Sequence, residues 1–204
     1  MFGDYTSAID IIKRYEGFNE KAYPDPVSGG APYTFGYGTQ FYPDGSPVKQ
    51  GQCCTKQKAE EYLKHELKII DIELDKLDLD LDADMYNALL SFIHSVGWDP
   101  FFYSTIIDSI ETEDWYGVVE NISRWIFDHY YKVIGGLVNR RREEVALFLA
   151  NLKDECKPLG GILLATFRSY SGEPHEINAI LELEKNLNPY VLADFVNKFE
   201  SNFS

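Results

Sequence analysis

The sequence predicts a mainly helical α+β fold: a small sheet lobe, a linking helix, a helical lobe and a C-terminal appendage. Three observations carry that expectation. Apolar residues recur at helical spacing through most of the 204 residues, which gives each segment one core-facing side. Between residues 21 and 52 glycine and proline instead punctuate short aromatic and polar runs, the pattern of strands joined by tight turns. Apolar residues make up 45% and charged residues 25% of the chain, enough for a core without disulfide staples.

Ala8, Ile11, Ile12 and Tyr15 stand at i, i+3, i+4 and i+7, and Gly17 is placed to end that first helix. Glu16 therefore falls in its last turn. The sheet lobe follows. From Thr55, an expected N-cap, helical spacing resumes through Ala59, Leu63, Leu67, Ile70, Leu74 and Leu77, long enough to link two lobes. Residues 84–152 read as the helical lobe, with stripes at Leu89/Phe92/Ile93/Val96, Ile106/Ile107/Ile110, Val118/Ile122/Trp125/Ile126 and Val145/Phe148/Leu149. Breaks are expected at Gly97–Pro100 and Gly135–Gly136. Residues 1–152 form one domain in this reading, and 153–204 an extension that docks on something. Its Asn188–Pro189 is a good helix start, followed by the apolar face of Leu192, Phe195, Val196 and Phe199.

The charge balance narrows the function. Acidic residues number 33 against 19 basic ones, a net charge of −14. Nucleic acid is excluded as a partner, because no basic surplus exists to displace counterions from phosphates. Anionic membrane surfaces are disfavoured for the same reason. The cysteines are Cys53, Cys54 and Cys156; an odd count with two adjacent points to reduced thiols rather than a disulfide framework or a zinc site. Met1 to Tyr5 has neither the basic nor the apolar region of a secretory signal. No run approaches the roughly 18 apolar residues of a membrane span.

The chemistry is carried by Glu16–Gly17–Phe18, Tyr23–Pro24–Asp25 and Tyr33–Thr34–Phe35–Gly36–Tyr37–Gly38–Thr39. One acid ends a helix, a second enters the sheet nine residues later, and a threonine lies on the strand that follows. Period-two alternation sets Tyr33, Phe35 and Tyr37 on one strand face and Thr34, Gly36 and Gly38 on the other. The two glycines would leave a shallow floor for a polymer. Glycoside hydrolysis needs such a pair: one carboxyl protonates the leaving oxygen, while an ionised one activates water on the far face of the ring. Glu16 suits the acid, since the negative helix end and partial burial disfavour its charged form. Asp25, in a proline-flanked polar turn, suits the base, and Thr34 can hold the water.

At these residues the chain resembles the phage lysozyme, or endolysin, family (glycoside hydrolase family 24). The family's Glu–Gly, Tyr–x–Asp and Thr–x–Gly–x–Gly elements stand here as Glu16–Gly17, Tyr23–Pro24–Asp25 and Thr34–Phe35–Gly36–Tyr37–Gly38. Further on, Ser91–Phe92–Ile93–His94–Ser95–Val96–Gly97 resembles its Ser–Phe–x–x–Asn–Val–Gly helix end, with Ser95 in place of the amide. Phe102–Tyr103–Ser104–Thr105, Arg124–Trp125 and Gly136–Leu137–Val138–Asn139–Arg140–Arg141–Arg142–Glu143–Glu144 continue the series, which spans roughly residues 8–150. The resemblance implies a two-lobed lysozyme-like fold. It also implies an inverting muramidase that cuts the β-1,4 bond from N-acetylmuramic acid to N-acetylglucosamine in peptidoglycan, with no metal or other cofactor. Glu16, Asp25 and Thr34 take the roles of acid, base and water holder. Tyr37, His94, Ser95 and Ser104 are the expected substrate contacts, and Arg140 and Arg141 the structural support.

The expected setting is synthesis in a host bacterial cytoplasm without a signal peptide, then holin-type release or carriage on a virion. An alternative is a virion component whose lysozyme-like domain mainly docks, with phage virion or tail proteins held through residues 153–204. A lytic transglycosylase is a further alternative; it needs no water-holding pair, so Asp25 and Thr34 favour hydrolysis.

Overall fold

The computed structural model describes residues 3–128 and 132–151. Its elements run α1 (Thr6–Glu16), β1 (Asn19–Pro24), β2 (Tyr33–Gly36), α2 (Lys56–Asp75), α3 (Ala83–Val96), α4 (Trp98–Phe102), α5 (Ile106–Glu111), α6 (Trp115–Ser123) and α7 (Gly135–Phe148). The mainly helical α+β expectation holds, with a two-stranded antiparallel sheet. The expected extension at 153–204, its apolar stripe included, lies outside the described residues.

Local chemistry sets the boundaries. Gly17 ends α1 at φ 67°, a conformation that costs glycine little. Thr55 caps α2 by accepting from the Lys58 backbone N–H at 3.2 Å, as the sequence predicts. Asp82 caps α3 by accepting from the backbone N–H groups of Asp84 and Met85. Helix α2 stops at Asp75, so Leu77 lies beyond it, and Trp125 and Ile126 lie past the end of α6. The break at Gly97 is observed, at φ 92°. The one expected at Gly135–Gly136 is not, because α7 begins there.

Helix α3 is the centre of the molecule. Every residue from Met85 to Ile93 is buried, and α3 packs against α1, α2, α4 and α7; a helix apolar on all sides belongs inside a bundle. Asn87 pins the start of α1 to it. Its Nδ2 donates to the Asp4 carbonyl at 3.0 Å, and its Oδ1 accepts from the Ala8 N–H at 3.1 Å. Below, the buried Asp71 of α2 accepts from Tyr5 at 2.8 Å, Lys68 at 2.7 Å and Tyr86 at 2.7 Å. These polar anchors fix the direction in which α1 carries Glu16.

In the sheet, Tyr23 pairs with Thr34 and Pro24 with Tyr33. The ladder runs one step further, where the Asp25 N–H donates to the Pro32 carbonyl at 3.0 Å. Strand β2 ends at Gly36, φ 63°, so the predicted alternation does not reach Tyr37. Gly36 does not belong to a cleft floor: a Cβ there would lie 3.0 Å from the Ala59 Cβ on α2. Glycine at this position lets the sheet sit against the linking helix.

Candidate active site

Helix α1 delivers Glu16 with its carboxyl held at one end. Arg140 on α7 donates from Nη1 to Glu16 Oε1 at 2.7 Å. Arg140 is itself fixed by Nη2 to the Ser91 carbonyl at 3.0 Å and by Nε to Glu144 Oε1 at 3.1 Å. Glu144 also accepts from the Ser91 hydroxyl at 2.7 Å, and Arg141 Nε lies 2.7 Å from its other oxygen. Arg141 stacks over the Phe92 ring, 5.0 Å from its centroid. Burial pushes the Glu144 carboxyl above the usual glutamate range, against the pull of Arg141 and Arg140, and draws the Arg141 guanidinium down to about 10. The set gathers two guanidinium groups on one buried carboxylate, whose attraction offsets the cost of its burial. It ties α1, α3 and α7 together behind the site.

The sheet presents the other half. Cross-strand partners share a face, so Tyr23 and Thr34 lie on one side, and Asp25 follows the end of β1 directly, at the start of the turn. Glu16 looks onto the same region. Burial raises the Tyr23 hydroxyl above its ordinary pKa, and the negative charge of Glu16 adds to the rise. Asp25 forms an Asx turn, its Oδ1 accepting from the backbone N–H groups of Val27 at 3.1 Å and Ser28 at 2.7 Å. The turn orients the carboxylate at the end of β1. Thr34 is 7% exposed.

Gly38 is the hinge between this centre and the groove beside it. A Cβ at Gly38 would lie 3.7 Å from Glu16 Oε2 and 3.8 Å from His94 Cε1. A side chain at Gly38 would therefore stand in van der Waals contact with Oε2, the oxygen that Arg140 does not take. Gly38, at φ 106°, is thus the one of the two predicted floor glycines that serves the cleft. A cavity of about 540 Å³ opens from it, walled by the 38–45 turn on one side and by α2, α3 and Trp98 on the other.

The expected substrate contacts divide. His94 lines the cavity, its Nε2 3.2 Å from Glu66 Oε2. Ser95 is half-buried in the last turn of α3. Tyr37 is 5% exposed and packs on Phe18, 5.6 Å between ring centroids, so its ring belongs to the core rather than the cleft floor. Ser104 spends its hydroxyl on the α4–α5 turn, donating to the Phe101 carbonyl at 2.6 Å and accepting from the Ile106 N–H at 3.2 Å. Arg140 and Arg141 stand where support for Glu16 requires them. Sequence reasoning missed Glu66, and gave Glu144 only as the closing residue of the Gly136–Glu144 element, without a role; its i+4 and i+3 spacing from Arg140 and Arg141 on one helix was the available signal. No group of acidic, histidine and cysteine side chains among the described residues could hold a metal ion.

A mainly helical chain with a two-stranded sheet, and a groove between the 38–45 turn and helices α2 and α3, has a lysozyme-like fold. Solved structures agree with that class. An endolysin from Escherichia coli O157:H7 phage FAHEc1 is 30% identical with a TM-score of 0.63, covering 72% of this chain and 93% of that one. A point mutant of P22 lysozyme is 30% identical with a TM-score of 0.59, covering 71% and 96%. Residues 13–144 match the family model described as phage lysozyme, and the chain belongs to that family. Curated relatives include the endolysin of Salmonella phage P22, 32% identical over 150 residues, 71% of this chain and 97% of that one. The endolysin of Bacillus phage B103 is 32% identical over 144 residues, and the match spans only 52% of its length.

Proposed function

We infer that the chain is a peptidoglycan muramidase, a glycoside hydrolase cutting the β-1,4 bond between N-acetylmuramic acid and N-acetylglucosamine. The observation that carries this reading is the way Glu16 is held. Arg140 occupies Oε1, while Oε2 lies beside the bare backbone of Gly38 at the cleft. Glu16 delivers a proton from Oε2 to the departing glycosidic oxygen. Asp25 accepts a proton from water on the opposite face of the ring, and Thr34 holds that water. The anomeric carbon–oxygen bond breaks as the water oxygen attaches, through an oxocarbenium-like state. Glu16 ends deprotonated and Asp25 protonated, and exchange with solvent restores both.

The catalytic unit in this reading is residues 1–152. His94 and Ser95 meet the glycan along the groove. The protein is made in the host cytoplasm and reaches the wall after holin-type release; among the described residues no helix is long and apolar enough to cross a membrane. The alternative of a virion component that mainly docks through residues 153–204 gains no support from the described residues.

Digestion of purified peptidoglycan with wild type, Glu16→Gln and Asp25→Asn tests the reading. Wild type is expected to release products with reducing ends. Both variants should lose roughly 10³-fold or more in rate while remaining folded, with a lower melting temperature for Glu16→Gln, which removes the ion pair to the buried Arg140. Anhydro ends would indicate transglycosylation, and retained activity in both variants would remove the site assignment.

A further inference from the structure

The α4 segment carries more aromatic surface than its packing needs. Phe101 anchors it, fully buried, and Trp98 packs partly buried against the same core. Trp98 touches that anchor at 5.7 Å between centroids and stacks on Phe102 at 5.9 Å with 25° between planes. Phe102 meets Tyr103 edge-on at 5.4 Å. Three rings thus touch in series. The outer two face water: Phe102 is 42% and Tyr103 83% exposed. The inner one, Trp98, is part of the cavity wall that starts at Gly38, opposite Phe41, itself 56% exposed on the sheet lobe.

We propose that Trp98, Phe102 and Tyr103 form an accessory platform that grips the glycan strand beyond the catalytic groove, the apolar faces of successive sugars stacking on the rings. This rests on the muramidase reading. Continuity selects the ligand. A polymer held at Glu16 and laid along the cavity meets Trp98 where it leaves, and the next two rings extend that path over the surface. The rings are uncharged, as are the sugar faces they would cover. Aromatic rings with a wet side suit such ligands, since they offer large rigid area at little conformational cost.

Binding without cleavage tests the platform, using the full chain carrying Glu16→Gln. Adding Phe102→Ser and Tyr103→Ser together is expected to weaken co-sedimentation with insoluble peptidoglycan about tenfold, on the scale of two ring contacts. Binding to a disaccharide–peptide fragment, measured by calorimetry, should weaken far less, because a short ligand does not reach α4. Tyr103→Ser alone, at a site too exposed to disturb folding, should give a smaller loss on insoluble wall in the same direction. Unchanged sedimentation of the double variant overturns the proposal. So does an equal loss on the short fragment, or a loss confined to phosphatidylglycerol vesicles. Failure of the Glu16→Gln parent itself to sediment with wall would instead strike the muramidase reading.

Discussion

Glu16 illustrates how one side chain is given two tasks by its surroundings. Oε1 is spent on Arg140, which fixes the carboxyl in space, and Oε2 is left beside Gly38. The two neighbouring glycines divide the work in the same way, and substitution should separate them. Gly36→Ala places a Cβ 3.0 Å from the Ala59 Cβ at φ 63°; it is expected to cost about 1–2 kcal/mol of stability in denaturant titrations. At Gly38, φ 106°, an added side chain is strained too and should cost stability, but its methyl also meets Glu16 and His94 at contact distance, so folded Gly38→Ala is expected to lose wall hydrolysis that folded Gly36→Ala keeps. Equal profiles for the two variants would contradict this division. The placement of Glu16 at a helix end, Asp25 after a strand and Thr34 within one is legible in the sequence because local punctuation fixes it. The partners are not. Glu66 meets His94 across 28 positions of chain, and only packing of α2 on α3 brings them together.

At the scale of elements, the helices are legible in the sequence because their signals are local: a 3.6-residue stripe, a Thr55 cap, a Gly17 stop. Alternation overextends strand β2 because it cannot report that Gly36 turns the chain at positive φ. Nor does the pattern show that α7 starts at Gly135, since glycine there reads as a break until packing overrides it. The junction of α1, α2 and α3 rests on Asp71. Burial alone would raise its pKa, but hydrogen bonds from Lys68, Tyr86 and Tyr5 outweigh that and hold the carboxyl below the usual aspartate range. Its folded value is thus lower than its unfolded one. The stability it adds is complete above the ordinary aspartate value of about 3.9 and is lost as pH falls through the lower folded value. Melting temperatures measured across this acid range should fall less steeply with decreasing pH in Asp71→Asn than in wild type. An unchanged slope would show that the junction does not draw on this carboxylate.

For the whole molecule, the governing quantity is charge. A net −14 opposes approach to an anionic wall, because long-range repulsion lowers the encounter rate. Salt shortens that repulsion from a reach of roughly 30 Å at 0.01 M to about 8 Å at 0.15 M. Clearing of intact wall should therefore speed up over that range, while hydrolysis of small uncharged fragments should change little. A rate that falls steadily with added salt would mean that a local attractive patch governs the encounter.

The proposed action of Glu16 and Asp25 from opposite faces of the sugar requires water to enter on the side away from the departing oxygen, in one displacement. The anomeric proton signals of the first-formed product, followed by NMR before mutarotation, report that directly. Inversion of the β-linkage predicts that the α-anomer appears first. Initial accumulation of the β-anomer would contradict the account, since it would require two displacements at the same carbon.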